Sequence, residues 1–171
     1  AFELLVTMET SDSIKIAIIN NLAKACGHLG MVGGQIKDIH SENTKTVEAL
    51  DKMHSQKTGR LIQSSLVTSG ILSGLDPSEI EALSKYGEKI GLAFQIQDDI
   101  IDIESPSSIS GKDQGSDIEL DKITYPSIVG LEGSRDKARK LAEEAKEMLH
   151  LSHKNTDNLS KLADYIIHRE T

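Results

Sequence analysis

From Pro77 to Glu104 the chain reads as one long helix that is apolar on two opposite sides, and few folds have room for such an element. At about 100° per residue, Ile80, Leu83, Gly87, Ile90 and Phe94 fall on one face. Leu92, Ile96, Ile100 and Ile103 make the other side apolar as well. A helix of that kind is central and buried. Its limits are set locally: Asp76 is placed to cap, Pro77 takes the first helical position, and Ser105 followed by Pro106 must end it.

Helical periodicity runs through the rest of the chain. Ser11, Asp12 and Ser13 offer capping groups. Ile14, Ile18, Leu22, Ala25 and Leu29 then share one helical face, weakened at its end by Gly27 and Gly30. Gly33 and Gly34 either break the backbone or let it pack tightly. A second helix is expected from about Thr46, with Val47, Leu50 and Met53 inward and the stripe resuming at Leu61 and Ile62. After the central helix comes a long polar segment with Gly111 and Gly115, reaching Ile123, of a length that is usually functional or disordered. Two more helices are expected, from Ser134 to about Leu151 and from Asn155 or Thr156 to about Arg169. Nothing alternates with period two, so residues 1–171 read as one all-α domain without repeat or linker.

The 171 residues suffice for a sizeable core, and the hydrophobic fraction of 37% is that of a soluble protein without a bilayer-spanning run. A net charge of -8, spread along the chain, argues against nucleic acid. Single lysines can still answer an anionic small ligand. The one cysteine, Cys26, rules out an internal disulfide and suits a reducing compartment, so a cytoplasmic location is expected. Ala1-Phe2-Glu3-Leu4-Leu5 reads as the middle of an apolar helix, and the natural chain is expected to begin upstream.

The central helix carries three acids at its far end. Asp98 continues the apolar stripe, Asp102 lies one turn further along its flank, and Asp99 sits at the edge of the same sector. The C-terminal end of a helix dipole disfavours anions, burial raises the cost of each charge, and neighbouring carboxylates repel. Three such residues call for a partner of positive charge. Magnesium suits hard oxygen ligands and bridges readily to phosphate. The plainer reading is a solvated helix end whose acids meet water or lysines, and the apolar surroundings count against it.

Lys57-Thr58-Gly59 interrupts the second helix, where a glycine can loosen the ladder and turn a carbonyl, an ammonium and a hydroxyl toward a ligand. Lys112, after Gly111, and Lys122 lie in the long segment after the carboxylates, from which a loop could reach bound phosphates. Taken singly, each of these lysines is more simply a solvated side chain. Gln35 and Asp38 suit ligand binding and capping equally well, and the histidines show no ligand spacing.

Together these pieces resemble a known family. Phe94-Gln95-x-x-Asp98-Asp99-x-x-Asp102 is similar to the second aspartate-rich motif of the trans-isoprenyl diphosphate synthases. Gly30-Met31-x-Gly33-Gly34-Gln35-x-x-Asp38 and Lys57-Thr58-Gly59 precede it in the family's order. Gly111-Lys112-Asp113-x-Gly115-x-Asp117, Lys122-x-Thr124-Tyr125-Pro126 and Ala163-Asp164-Tyr165-Ile166-Ile167 follow it. Within the family the chain looks closest to bacterial farnesyl diphosphate synthases.

The resemblance implies an isoprenoid-synthase helical bundle, incomplete on its N-terminal side. It also implies a magnesium-dependent condensation of isopentenyl diphosphate with an allylic diphosphate, dimethylallyl or geranyl, giving a short product such as farnesyl diphosphate. Three magnesium ions are implied, with manganese as a substitute. Asp98 is then the principal ligand, with Asp99 and Asp102 acting directly or through water. Lys57, Lys112 and Lys122 surround the diphosphate, Thr58 and Gln95 lie near the cation, and Gln35 and Phe94 line the substrate. A homodimer is implied too.

The family's first aspartate-rich motif and its upstream basic residues are absent from the sequence, so the chain by itself is expected to be inactive. Two other classes compete: a non-catalytic subunit of a heteromeric synthase, and a helical interaction module whose acids and lysines pair with one another. A terpene cyclase shares the ionisation logic but fits the lysine motifs less well.

Overall fold

A computed structural model describes residues 1–40, 46–104, 123–150 and 154–169. The described residues form helices α1 (Phe2–Thr7), α2 (Asp12–Cys26), α3 (Met31–Ile39) and α4 (Val47–His54). A π-helical turn (Ser55–Gly59) joins α4 to α5 (Arg60–Leu72), and α6 (Pro77–Glu104), α7 (Tyr125–Leu149) and α8 (Asp157–His168) complete the bundle. No strand occurs among the described residues, and the protein is all-α. None of their helices is long and apolar enough to cross a membrane.

The expected central helix is α6, with the expected limits. Asp76 Oδ1 accepts the backbone N–H of Ser78 at 2.8 Å and of Glu79 at 3.0 Å, while Glu79 accepts the N–H of Asp76, a reciprocal capping pair. Residues buried all round α6 make it the axis of the core: Tyr86, Ile90, Ala93, Ile96 and Ile100. Helix α7 packs along it most extensively and α5 lies on another side. Ala138, Ala142 and Ala145 let α7 approach closely.

Helix α7 begins at Tyr125, nine residues before the expected start at Ser134. Thr124 and Ser127 cap each other's backbone with Pro126 in the first turn, and this start signal outweighs Gly130. Gly130, at φ 76° and ψ 166°, kinks the helix there, and the Ser134 hydroxyl donates to its carbonyl at 2.8 Å. Leu29 also departs from expectation: α2 ends at Cys26, and Leu29 is exposed.

Of the two roles open to Gly33 and Gly34, the structure uses tight packing. Helix α3 runs through both, and a Cβ on Gly34 would overlap the backbone nitrogen of Lys57. Gly91 plays the same part on α6, where a Cβ would come within 2.7 Å of Gly59 Cα. The π-helical turn is thus wedged between α3 and α6 by two glycines. Its wide pitch is visible at Arg60, whose N–H reaches back to Ser55 O. The expected loosening of the helix at Gly59 takes this form.

Candidate active site

The π-helical turn lies along α6: His54, the residue before it, stands 3.4 Å from Asp99 through Nε2 and Oδ2, and nothing larger than hydrogen separates Gly59 at its end from Gly91. Lys57 and Thr58 are thereby held beside the helix that carries Phe94, Gln95, Asp98, Asp99 and Asp102. Lys57 Nζ lies 2.7 Å from Asp38 Oδ2, so the Gly-rich helix α3 anchors the lysine. Gln35, one turn earlier on α3, is exposed.

The three acids do not act as one buried set. Asp99 alone is fully buried, at 7% exposure. The Asp98 side chain is 41% exposed, and Asp102 is half-buried. Asp99 turns into the core, where its Oδ2 accepts the N–H of Tyr125 at 2.9 Å and stands 3.4 Å from His54 Nε2. The positive end of the α7 dipole therefore meets the charge that was expected to require a metal. Asp98 is answered by the Arg169 guanidinium and by the Gln95 amide at 2.8 Å. Both acids thus find positive or donor partners within the fold. The expectation that these acids are untenable without a metal gives way to that finding.

Arg169, which carries no motif signal, closes one side of the site. Its guanidinium stacks 4.0 Å over the Phe94 ring and donates to Phe94 O at 3.3 Å, while Gln97 holds its carbonyl at 3.1 Å. Beside it runs an apolar groove of about 560 Å³ between α5, α6 and α8, lined by Ile62, Leu66, Ile90, Phe94 and Ile166. His54 was also missed, because a lone histidine has no spacing to recognise, while Tyr125 stood in the Lys122-x-Thr124-Tyr125-Pro126 motif without a role. Lys112 and Lys122 lie outside the described residues.

The donor set suits magnesium in part. Asp98 and Asp102, one turn apart, offer hard oxygens along one side of α6. Among the described residues no three His, Cys, Asp or Glu side chains converge. One or two carboxylates with the remaining positions left to water and phosphate is a manner of binding typical of magnesium, and the residues present fit it.

Residues 1–166 match the Polyprenyl synthetase family. The chain is 44% identical over 167 residues to farnesyl diphosphate synthase of Escherichia coli, covering 94% of this chain and 56% of that protein. It is 38% identical to the Micrococcus luteus farnesyl diphosphate synthase, over 99% of this chain and 58% of the relative. It therefore spans little more than half the length of these two relatives. Among solved structures, a Helicobacter pylori geranyltransferase complexed with magnesium and isoprenyl diphosphate superposes with a TM-score of 0.80 at 32% identity, covering 97% of this chain and 55% of that one. The chain belongs to the polyprenyl synthetase family.

Proposed function

We propose that this chain forms the diphosphate-binding half of a short-chain isoprenyl diphosphate synthase. Such an enzyme condenses isopentenyl diphosphate with dimethylallyl or geranyl diphosphate, with farnesyl diphosphate as the expected product. The observation that carries the reading is the seating of the Lys57–Thr58 turn along α6, between the His54–Asp99 contact and the Gly59–Gly91 contact. In this reading a cation, a hydroxyl and hard oxygens share one opening, and the apolar groove that includes Phe94 suits a prenyl chain. The names of the relatives point the same way.

In this reading Asp98 and Asp102 hold magnesium, and Lys57, whose ammonium Asp38 orients, draws the diphosphate toward them. Magnesium, when bound, supplies charge that offsets the negative charge growing on the departing diphosphate. The Thr58 hydroxyl and the Gln95 amide present oxygens to the carbon that loses it. Ile62, Leu66, Ile90 and Phe94 keep water from that carbon. Lys112 and Lys122 complete the cradle, the expected three ions and the single domain over residues 1–171 belong to the same reading, and a cytoplasmic location accompanies it. A homodimer is supported by Val32, Ile36 and Ile39, exposed together on α3.

The remaining length of the relatives supplies the rest of the site in this account. The test is a condensation assay with magnesium, isopentenyl diphosphate and geranyl diphosphate. The whole enzyme is expected to release pyrophosphate and form a longer prenyl diphosphate, and the 171-residue chain to do neither. Turnover by the chain alone would refute the half-site reading, and failure of the whole enzyme would refute the activity.

A further inference from the structure

One buried titratable group has no part in that reaction. His54 is 6% exposed at the last position of α4, and neither of its ring nitrogens makes a hydrogen bond. A buried polar group in that state is costly unless a charged neighbour answers it. An apolar ring of the same size would fill the space without the cost. Packing alone therefore does not account for an imidazole here.

Its neighbours suggest what does. The imidazole stacks on the Tyr125 ring, with centroids 5.9 Å apart and planes 16° from parallel. Its Nε2 faces Asp99 Oδ2 at 3.4 Å, and the same oxygen accepts the Tyr125 N–H at 2.9 Å. Three elements meet at this point. The π-helical turn carrying Lys57 and Thr58 starts at the very next residue, Ser55. Asp99 sits between Asp98 and Asp102 on α6, and Tyr125 is the first residue of α7. Fixing the Asp99 carboxylate fixes the rotation of the last turns of α6, and with it the direction in which Asp98 and Asp102 project.

We propose that His54 is a positioning residue for the diphosphate site: through Asp99 and Tyr125 it sets the separation of the Lys57 turn from the carboxylates of α6. The proposal rests on the functional reading above and adds to it a role for Asp99 as a strut. Groups that orient ligands from behind typically change metal affinity by about 10–100-fold when removed. That is the scale expected here.

The test is calorimetric titration of the full 171-residue chain with magnesium and inorganic pyrophosphate, alongside thermal melting. His54→Phe keeps the stack on Tyr125 and removes the Nε2 that faces Asp99. It should still melt cooperatively yet bind about tenfold more weakly or worse. His54→Gln, whose amide nitrogen reaches the place of Nε2, should recover most of the affinity, and His54→Asn, which cannot reach it, should not. Asp98→Ala separates the two claims. If Asp98→Ala loses binding while His54→Phe binds like the parent, the positioning role is overturned and the site stands. If Asp98→Ala binds like the parent, the site itself is wrong. Should His54→Phe fail to melt cooperatively, the Gln and Asn pair decides, and equal affinity in the two overturns the proposal.

Discussion

Lys57 Nζ and Asp38 Oδ2 stand 2.7 Å apart, a bond that ties the π-helical turn to the Gly-rich helix α3. Both side chains are largely shielded, at 30% and 13% exposure, so the pair holds the lysine in one direction. Asp38→Asn should lower stability by about 1 kcal/mol in urea denaturation, near the upper end for pairs not wholly buried. With its anchor gone the lysine wanders, and magnesium-dependent pyrophosphate binding should weaken as well. Unchanged binding would show that Asp38 serves the fold alone.

The glycine contacts make a sharper demand. Gly91→Ala drives a methyl to within 2.7 Å of Gly59 Cα, where backbone must move. Overpacking of this kind costs about 1–3 kcal/mol, and the shift parts the Lys57 turn from α6. Denaturation and pyrophosphate titration should therefore fall together. Gly74→Ala is the control for a change of glycine in open space; at φ 67° it should cost stability through backbone strain and leave binding intact.

Tyr86 gives a pH signature of the core. Its hydroxyl donates to Leu159 O at 2.7 Å, joining α6 to α8, and burial, reinforced by the charge of Asp164, pushes it from 10.0 up to about 12. The folded value lies above the unfolded one. Its contribution to stability is therefore complete below pH 10.0 and is lost as the pH rises toward about 12. Tyr86 should ionise at about pH 12 by tyrosinate absorbance, and Tyr86→Phe should remove its share of that absorbance.

Arg169 occupies ground that a metal ion would share. It pairs with Asp98 and covers Phe94 at 4.0 Å. Arg169→Ala should lower the melting temperature by about 2–4 °C, equivalent to about 1 kcal/mol at this chain length. It should also tighten the binding of magnesium alone, because Asp98 loses a competing cation. Weaker magnesium binding in this variant would show that the arginine shapes the acid rather than competing for it.

The sequence announces what local chemistry decides. Asp76 and Pro77 start α6 and Ser105 and Pro106 bar its continuation, and such signals can be read within a few residues. The two-sided apolar wheel of that helix also marked it as the axis of the bundle. The start of α7 was equally local, in Thr124, Pro126 and Ser127, yet the expected helix began only at Ser134. What could not be read depends on distant contacts. Arg169 reaches Asp98 across 71 residues, and nothing in its own neighbourhood signals that meeting. Asp99 was placed at the edge of the sector that Asp98 continues, and one residue of rotation sends it to the Tyr125 N–H. Burial was inferred for all three acids from their apolar neighbours, and the structure grants it in full to one.

The most direct test of the central claim is a titration of magnesium and inorganic pyrophosphate into Asp98→Ala beside the parent chain. If Asp98 brings the metal and the diphosphate together, the parent binds pyrophosphate only with magnesium present, and the variant loses at least about tenfold in affinity, a difference of about 1.4 kcal/mol. Equal binding by the two proteins would contradict the account.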